Sequence, residues 1–238
     1  MSLARSALDL VYPRQCRLCG ETRGCGQFSF LCDDCFTGAS RLQPPWCEIC
    51  GFPFSGEVST PFQCPNCSEM KLNFDKAVAV MRFRGVVRLA IHGLKYSQQT
   101  YWFKVLRAWL HAGADALVDR SQIDCVIPIP LYPRRERERG FNQAWLLLQS
   151  ITQKWKITSH RYALARVRET ETQTHLDRQE RMINLRGAFE VRQAGVVYGK
   201  RVLLVDDVLT TGSTANECSR VLREAGATSI FVFTLARG

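Results

Sequence analysis

Residues Val202 to Thr214, V-L-L-V-D-D-V-L-T-T-G-S-T, constrain the fold of this chain more than any other stretch. Four apolar β-formers open it and read as a buried strand. Asp206 and Asp207 stand at that strand's C-terminal end. Thr210, Thr211, Gly212, Ser213 and Thr214 then form a short loop that opens a helix. In an open α/β sheet, ligands bind in the crevice beyond the strand C-termini, and a helix N-terminus offers free N–H groups to an anion. Adjacent carboxylates beside an anion site suit a ligand with phosphate at one end and hydroxyls nearby, such as a phosphorylated ribose.

All thirteen positions of this segment match the phosphoribosyl pyrophosphate (PRPP) loop of type I phosphoribosyltransferases, which it closely resembles. The resemblance implies that Asp206 and Asp207 hold the ribose 2′ and 3′ hydroxyls and that residues 210–214 cup the 5′-phosphate. A matched strand, acid pair and phosphate loop is far more demanding than a lone glycine motif.

Cysteine placement sets a second constraint. Nine of the eleven cysteines lie before residue 68, and eight of those form four C-x-x-C pairs: Cys16/Cys19, Cys32/Cys35, Cys47/Cys50 and Cys64/Cys67. With no basic start and long apolar core at the N-terminus to mark a secretory signal, such pairs read as metal sites in a reducing, cytoplasmic compartment and not as disulfides. The simplest pairing joins the first with the second and the third with the fourth. A crossed arrangement, first with third, stays open at the level of sequence. Four thiolates close a tetrahedral zinc site, so each zinc would be structural and not catalytic. Cys25 stands outside the pairs as a spare thiol, while Cys125 and Cys218 fall on apolar positions and read as core.

The formal net charge is +10. Each zinc with four thiolates contributes about −2, which brings the balance to about +6 and weakens the case for nucleic acid on charge alone. A phosphate-rich small ligand would also favour a basic cleft. No apolar run is long enough for a transmembrane helix, so no membrane insertion is expected.

Composition divides the chain. Residues 1–75 are rich in Cys, Gly, Pro and turns and cannot build an adequate apolar core without metal staples. Within them, residues 3–11 read as a short amphipathic helix. Residues 76–238 alternate strand and helix patterns, an α/β unit with a largely parallel sheet. Strands are expected over 77–84, 123–130, 188–191, 201–205 and 229–236, and helices over 85–96, 101–117, 143–155 and 214–225, the last stopped by Gly226 at C′. Trp102, Val105, Leu106, Trp109 and Leu110 share one helix face, as do Ala144, Trp145, Leu147, Leu148, Ile151 and Trp155.

Between the strand ending at Pro130 and the helix starting at Gln143 lies an arginine-rich segment expected to be a loop. It reads either as a solvated charge run or as a pyrophosphate clamp, because guanidinium forks match phosphate oxygens. The strand-end position favours the clamp, with Arg139 beside Gly140 as the main candidate and Arg134, Arg135 and Arg137 as weaker ones. Residues 168–186 are long, polar and poorly patterned. They suit a lid over the ligand, or a surface helix from Asp177 to Asn184.

Several segments together resemble the ComF (GntX-like) family, linked to competence and DNA utilisation. They are the double zinc ribbon, H-G-L-K-Y at 92–96, P-I-P-L with R-x-R-G-F-N-Q within 128–143, T-x-T-Q-T-x-L with E-R-x-x-N within 170–184, and the segment at 202–214. The resemblance implies a type I phosphoribosyltransferase-like parallel sheet flanked by helices, preceded by a small Cys-rich double zinc ribbon domain. It implies PRPP with Mg²⁺ as ligand, Lys95 as a further phosphate contact, and a role in handling imported single-stranded DNA with DNA-uptake or helicase proteins. Whether the site turns over, senses PRPP or nucleotides silently, or serves a DNA-binding adaptor stays open at the level of sequence.

Overall fold

The computed structural model describes residues 15–22, 27–56, 62–69, 72–170 and 178–238. The expected helix over 3–11, Cys25 and most of the 170–176 motif lie outside the described residues. Four strands form one parallel sheet: β1 (Lys76–Arg82), β2 (Cys125–Pro128), β5 (Arg201–Leu209) and β6 (Ser229–Arg237), in the order β1-β6-β5-β2. Central strands of a parallel sheet are covered on both faces and need apolar residues at successive positions. Val202 to Val205 and Val232 to Ala236 meet that demand and are buried throughout.

Helices α3 (Gly85–Tyr96), α4 (Trp102–Leu117) and α6 (Gln143–Trp155) have the bounds that the 3.6-residue pattern predicts to within a residue. They cover one face of the sheet, where Trp102, Leu106, Leu110, Leu147 and Leu148 are fully buried beside Leu203, Val205 and Phe233. The other face packs Val202, Leu204 and Val232 against α8 (Ser213–Glu224), whose Ala215, Cys218 and Leu222 point inward. A separate antiparallel pair joins β3 (Leu164–Arg166) to β4 (Phe189–Val191) over α8. The sequence pattern indicated β4 but not β3, which is three residues long, too short for alternation to register. The helix expected near 177–184 is α7 (Arg178–Leu185).

Among the described residues, the first cysteine group packs into the core of the α/β unit, and the second forms a small buried cluster with Ile49, Phe62 and Leu72 against it. The two one-turn helices of the cysteine-rich half, α1 (Asp33–Thr37) and α2 (Pro65–Ser68), each carry one C-x-x-C pair at their start. Phe30 meets Tyr101 and Trp102 with ring centroids 4.6 and 5.1 Å apart, and Phe36 stacks on Trp109 at 5.7 Å. The second cysteine knuckle reaches the sheet edge instead. Ala77 N donates to Ile49 O at 2.6 Å. Gly51 sits at φ +64°, and a Cβ there would stand 2.9 Å from Ala77 O. Glycine is needed at this point for both backbone angle and clearance.

Candidate functional site

β5 runs past the acids to Leu209, so Asp206 and Asp207 are consecutive strand residues whose side chains leave on opposite faces. Asp207 is 3% exposed. Its Oδ2 lies 2.5 Å from Lys95 Nζ on α3. Asp206 Oδ1 accepts the Asp207 N–H at 2.9 Å. Burial, and then the neighbouring Asp207 charge, push the Asp206 carboxyl well above the usual carboxylate range, with Lys95 opposing. Both acids line a cavity of about 350 Å³ together with Lys95, Arg135, Arg166, Arg181, Thr210 and Thr214. A volume of that order suits a small ligand. A larger cavity of about 620 Å³ beside α3, between Arg17 and Tyr101, contains neither the acids nor the loop.

The loop after β5 opens a helix through a left-handed glycine. Gly212 sits at φ +82° as the residue before α8 and offers that helix no side-chain cap, while Thr211 Oγ1 accepts the Ser213 N–H at 3.4 Å. First-turn backbone N–H groups that stay unbonded can meet an anion. Thr211 Oγ1 and Ser213 Oγ lie 2.9 Å apart, and Thr210 Oγ1 accepts from Arg181 Nη1 at 3.4 Å. Thr210 and Thr214 open onto the cavity, while Ser213 is buried behind them.

The arginine-rich segment is not a loop but a helix, α5 (Pro133–Arg139). Pro133 at its first turn is pre-set for helix, and Arg134 Nε pairs with Glu138 Oε1 one turn on at 2.9 Å. The helix phases the arginines. Arg135 and Arg139, four apart, turn toward α3 and share a recess with Lys95 and Tyr96. Arg135 also lines the acid-bearing cavity, whereas Arg139 does not. Arg139 is half-buried, donates to Gln143 Oε1 at 2.5 Å and lies 5.9 Å over the Tyr96 ring. Arg137 falls on the far side of the helix and lines another cavity with Arg161 and Tyr162.

Two cationic residues of the cleft escaped sequence reasoning. Arg166 ends β3, covers the Phe189 ring at 5.4 Å, and bonds Thr170 Oγ1 through Nη2 while its buried Nε has no partner. Burial lowers its guanidinium pKa from the ordinary value. Nothing in a three-residue strand signals such a role. Arg181 does carry a signal, since it is the arginine of the E-R-x-x-N stretch.

The cysteines resolve into two groups, Cys16/Cys19/Cys32/Cys35 and Cys47/Cys50/Cys64/Cys67, with all sulfurs of each group within 4.8 Å of one another. The first-with-second, third-with-fourth pairing is therefore the one adopted. Sulfurs 2.3 Å from a tetrahedral zinc stand about 3.8 Å apart along each edge. Cys19–Cys32, Cys50–Cys64 and Cys64–Cys67 are 3.8, 3.6 and 3.5 Å apart, so the residues fit zinc. Burial pulls the Cys16 and Cys47 thiols up, yet backbone N–H donors from the following residues outweigh it and leave them at about 6 and about 7. With four protein ligands each, both zinc sites are structural. Cys125 and Cys218 are buried in the apolar core, away from both groups.

Comparison with known proteins matches a different domain model to each end of the chain. A double zinc ribbon domain model matches residues 7–68, and a phosphoribosyl transferase domain model matches residues 146–238. Competence protein F of Haemophilus influenzae is 32% identical over 224 residues, which cover 88% of this chain and 98% of that protein. DNA utilization protein YhgH of Escherichia coli O157:H7 is 31% identical over 233 residues, covering 96% and 99%. A solved glutamine PRPP amidotransferase from B. subtilis overlays 61% of this chain and 30% of its own at a TM-score of 0.40 and 22% identity, too loose a likeness to argue from. End-to-end similarity of that kind, over a double zinc ribbon followed by a phosphoribosyl transferase domain, means that the chain belongs to the family of competence protein F and DNA utilization protein YhgH.

Proposed function

We propose that the cleft between β5, α3, α5 and α8 binds PRPP with Mg²⁺ and supports transfer chemistry at the ribose C1. The observation that carries this reading is one cavity of about 350 Å³ lined by Asp206, Asp207, Thr210, Thr214 and three arginines. The 5′-phosphate lies on the loop 210–214 and the first turn of α8. Asp206 accepts from the ribose hydroxyls, and Asp207 joins it when Lys95 turns to a phosphate oxygen. Arg135, Arg166 and Arg181, with Arg139 at the margin, face the pyrophosphate, whereas Arg137 is turned away from it. As C1–O breaks, its electron pair leaves with pyrophosphate while a nucleophile forms the new bond to C1. Positive charge grows on the ring and negative charge on the leaving group, where pre-positioned guanidinium groups stabilise it. Anchoring the remote phosphate directs binding energy to orientation at C1. Burial first, and then the Asp207 charge, raises the Asp206 carboxyl, and a divalent cation beside the acids would offset the second of these; Mg²⁺ bound there would neutralise substrate oxygens.

Calorimetry with PRPP in magnesium is expected to give saturable heat that Asp206→Asn weakens at least tenfold; absence of heat at millimolar PRPP would end the reading. A second reading, binding without turnover, is favoured by the Lys95–Asp207 pair, which occupies one of the two acids. PRPP heat without pyrophosphate release for any tested base or nucleotide would select it. The names of the relatives, a competence protein and a DNA utilization protein, further support a role in DNA utilisation, and we take that DNA to be single-stranded. Affinity for single strands should then fall steeply with salt.

A further inference from the structure

Arg237, the last residue of β6, is only 6% exposed. Its guanidinium spans two parts of the chain that are remote in sequence. Nε donates to Cys50 O at 3.0 Å, and Nη2 lies 3.7 Å from Cys50 Sγ. Nη1 donates to Leu209 O at 2.9 Å and also to Thr210 O and the Gly238 oxygen. The Phe52 ring covers the group at 5.0 Å. One planar fork thus clasps the second cysteine knuckle with one edge and the root of the 210–214 loop with the other. The knuckle cannot back away from it, because Ile49 and Gly51 are pressed against the backbone of Ala77 on β1.

The approach to Cys50 Sγ bears on the metal site, because with zinc bound there Arg237 Nη2 would stand against a ligand atom from outside that site. Donors that contact ligand atoms from outside the metal site fix those ligands and tune metal affinity. The first cysteine group differs. It packs on α3 and α4 through Phe30 and Phe36 and, among the described residues, makes no hydrogen bond to the loop.

We propose that Arg237 is a positioning residue that joins the second zinc site and the phosphate loop into one thermodynamic unit. Zinc at Cys47, Cys50, Cys64 and Cys67 strengthens anion binding at residues 210–214, and a bound phosphate ester tightens zinc at that site and not at the other. Coupling between two binding sites is reciprocal and commonly amounts to about 5–150-fold. The inference rests on the reading that the loop takes a phosphate ester.

The test uses the zinc-loaded full chain and a zinc chelator that ignores magnesium. Zinc release is followed with and without PRPP and Mg²⁺. PRPP is expected to slow the loss of one zinc by about fivefold or more and to leave the other unchanged. Arg237→Lys keeps the charge but loses the fork; it should retain both zincs, bind PRPP about tenfold more weakly and lose the protection. If calorimetry shows PRPP bound while both zincs leave the wild-type chain at rates PRPP does not alter, the inference is overturned and the functional reading stands. If PRPP gives no heat, that reading fails on its own. Amide exchange over residues 209–213, compared between wild type and Arg237→Lys without ligand, then decides whether Arg237 holds the loop, and unchanged exchange rejects it. Should Arg237→Lys not fold, the wild-type release experiment alone is decisive.

Discussion

At the scale of single residues, the acid pair behaves as two different groups. Asp207 is an ion-pair member held by Lys95, whereas Asp206 is a carboxyl whose pKa burial and the neighbouring Asp207 charge raise. An acid whose folded pKa is raised binds its proton more tightly in the fold than in the unfolded chain. Its unfavourable contribution is absent below the unfolded value near 3.9 and grows as pH rises through it toward the folded value. Asp206→Asn is therefore expected to melt no lower than wild type at pH 5 and increasingly higher toward pH 8, while PRPP affinity falls. A lower melting temperature at pH 8 would contradict the assignment. Lys95→Met should do the reverse. Removing one partner of a largely buried pair strands the other charge at a cost of about 3 kcal/mol, or roughly 6–12 °C for a domain of this size. Adding Asp207→Asn should restore most of it, which a double-mutant cycle would measure.

At the scale of elements, helix phase and helix caps determine what reaches the cleft. The sequence marks where arginines lie between Pro130 and Gln143, but read as a loop it gives them no direction. Once residues 133–139 form a helix, Arg135 and Arg139 share a face and Arg137 is turned away. The i,i+4 spacing of Arg134 with Glu138 was the available signal for that helix. Asn142 joins this helix to the sheet. It is 4% exposed, its Oδ1 accepts from Ala144 N at 2.9 Å and Trp145 N at 3.3 Å, and its Nδ2 donates to Ile129 O at 3.0 Å. Asn142→Ala removes the cap of α6 and leaves a buried carbonyl unpaired, an expected loss of about 2–4 kcal/mol in urea unfolding. Asn142→Asp keeps the cap and should recover part of that loss. Equal losses for the two variants would show that the cap contributes nothing.

At the scale of the whole molecule, the zinc ribbons and the α/β unit share cores. Cys16, Phe28, Leu31 and Cys32 belong to the same buried cluster as Trp102, Leu106 and Phe233. A small cysteine-rich module is thereby stabilised twice, by metal and by borrowed packing. Elemental analysis is expected to find two zincs per chain. Cys32→Ser and Cys64→Ser should each retain about one, and Cys125→Ala both. Two zincs remaining in either serine variant would reject the two-site grouping. Among the described residues, no helix is long and apolar enough to cross a membrane.

The sequence alone determined the elements whose signal is local: amphipathic helices, apolar central strands, C-x-x-C knuckles and the acid–threonine segment, each encoded by spacing within a few residues. Tertiary structure decided everything that depends on a distant partner. It chose which cysteine pairs meet, because that is a distance between sulfurs across a hairpin. It paired Lys95 with Asp207, brought Arg166 and Arg181 to the cleft, and set Arg237 between a cysteine knuckle and the loop. Contacts between residues more than a hundred positions apart leave no periodic trace in one chain, since only folding brings those side chains within reach of a hydrogen bond.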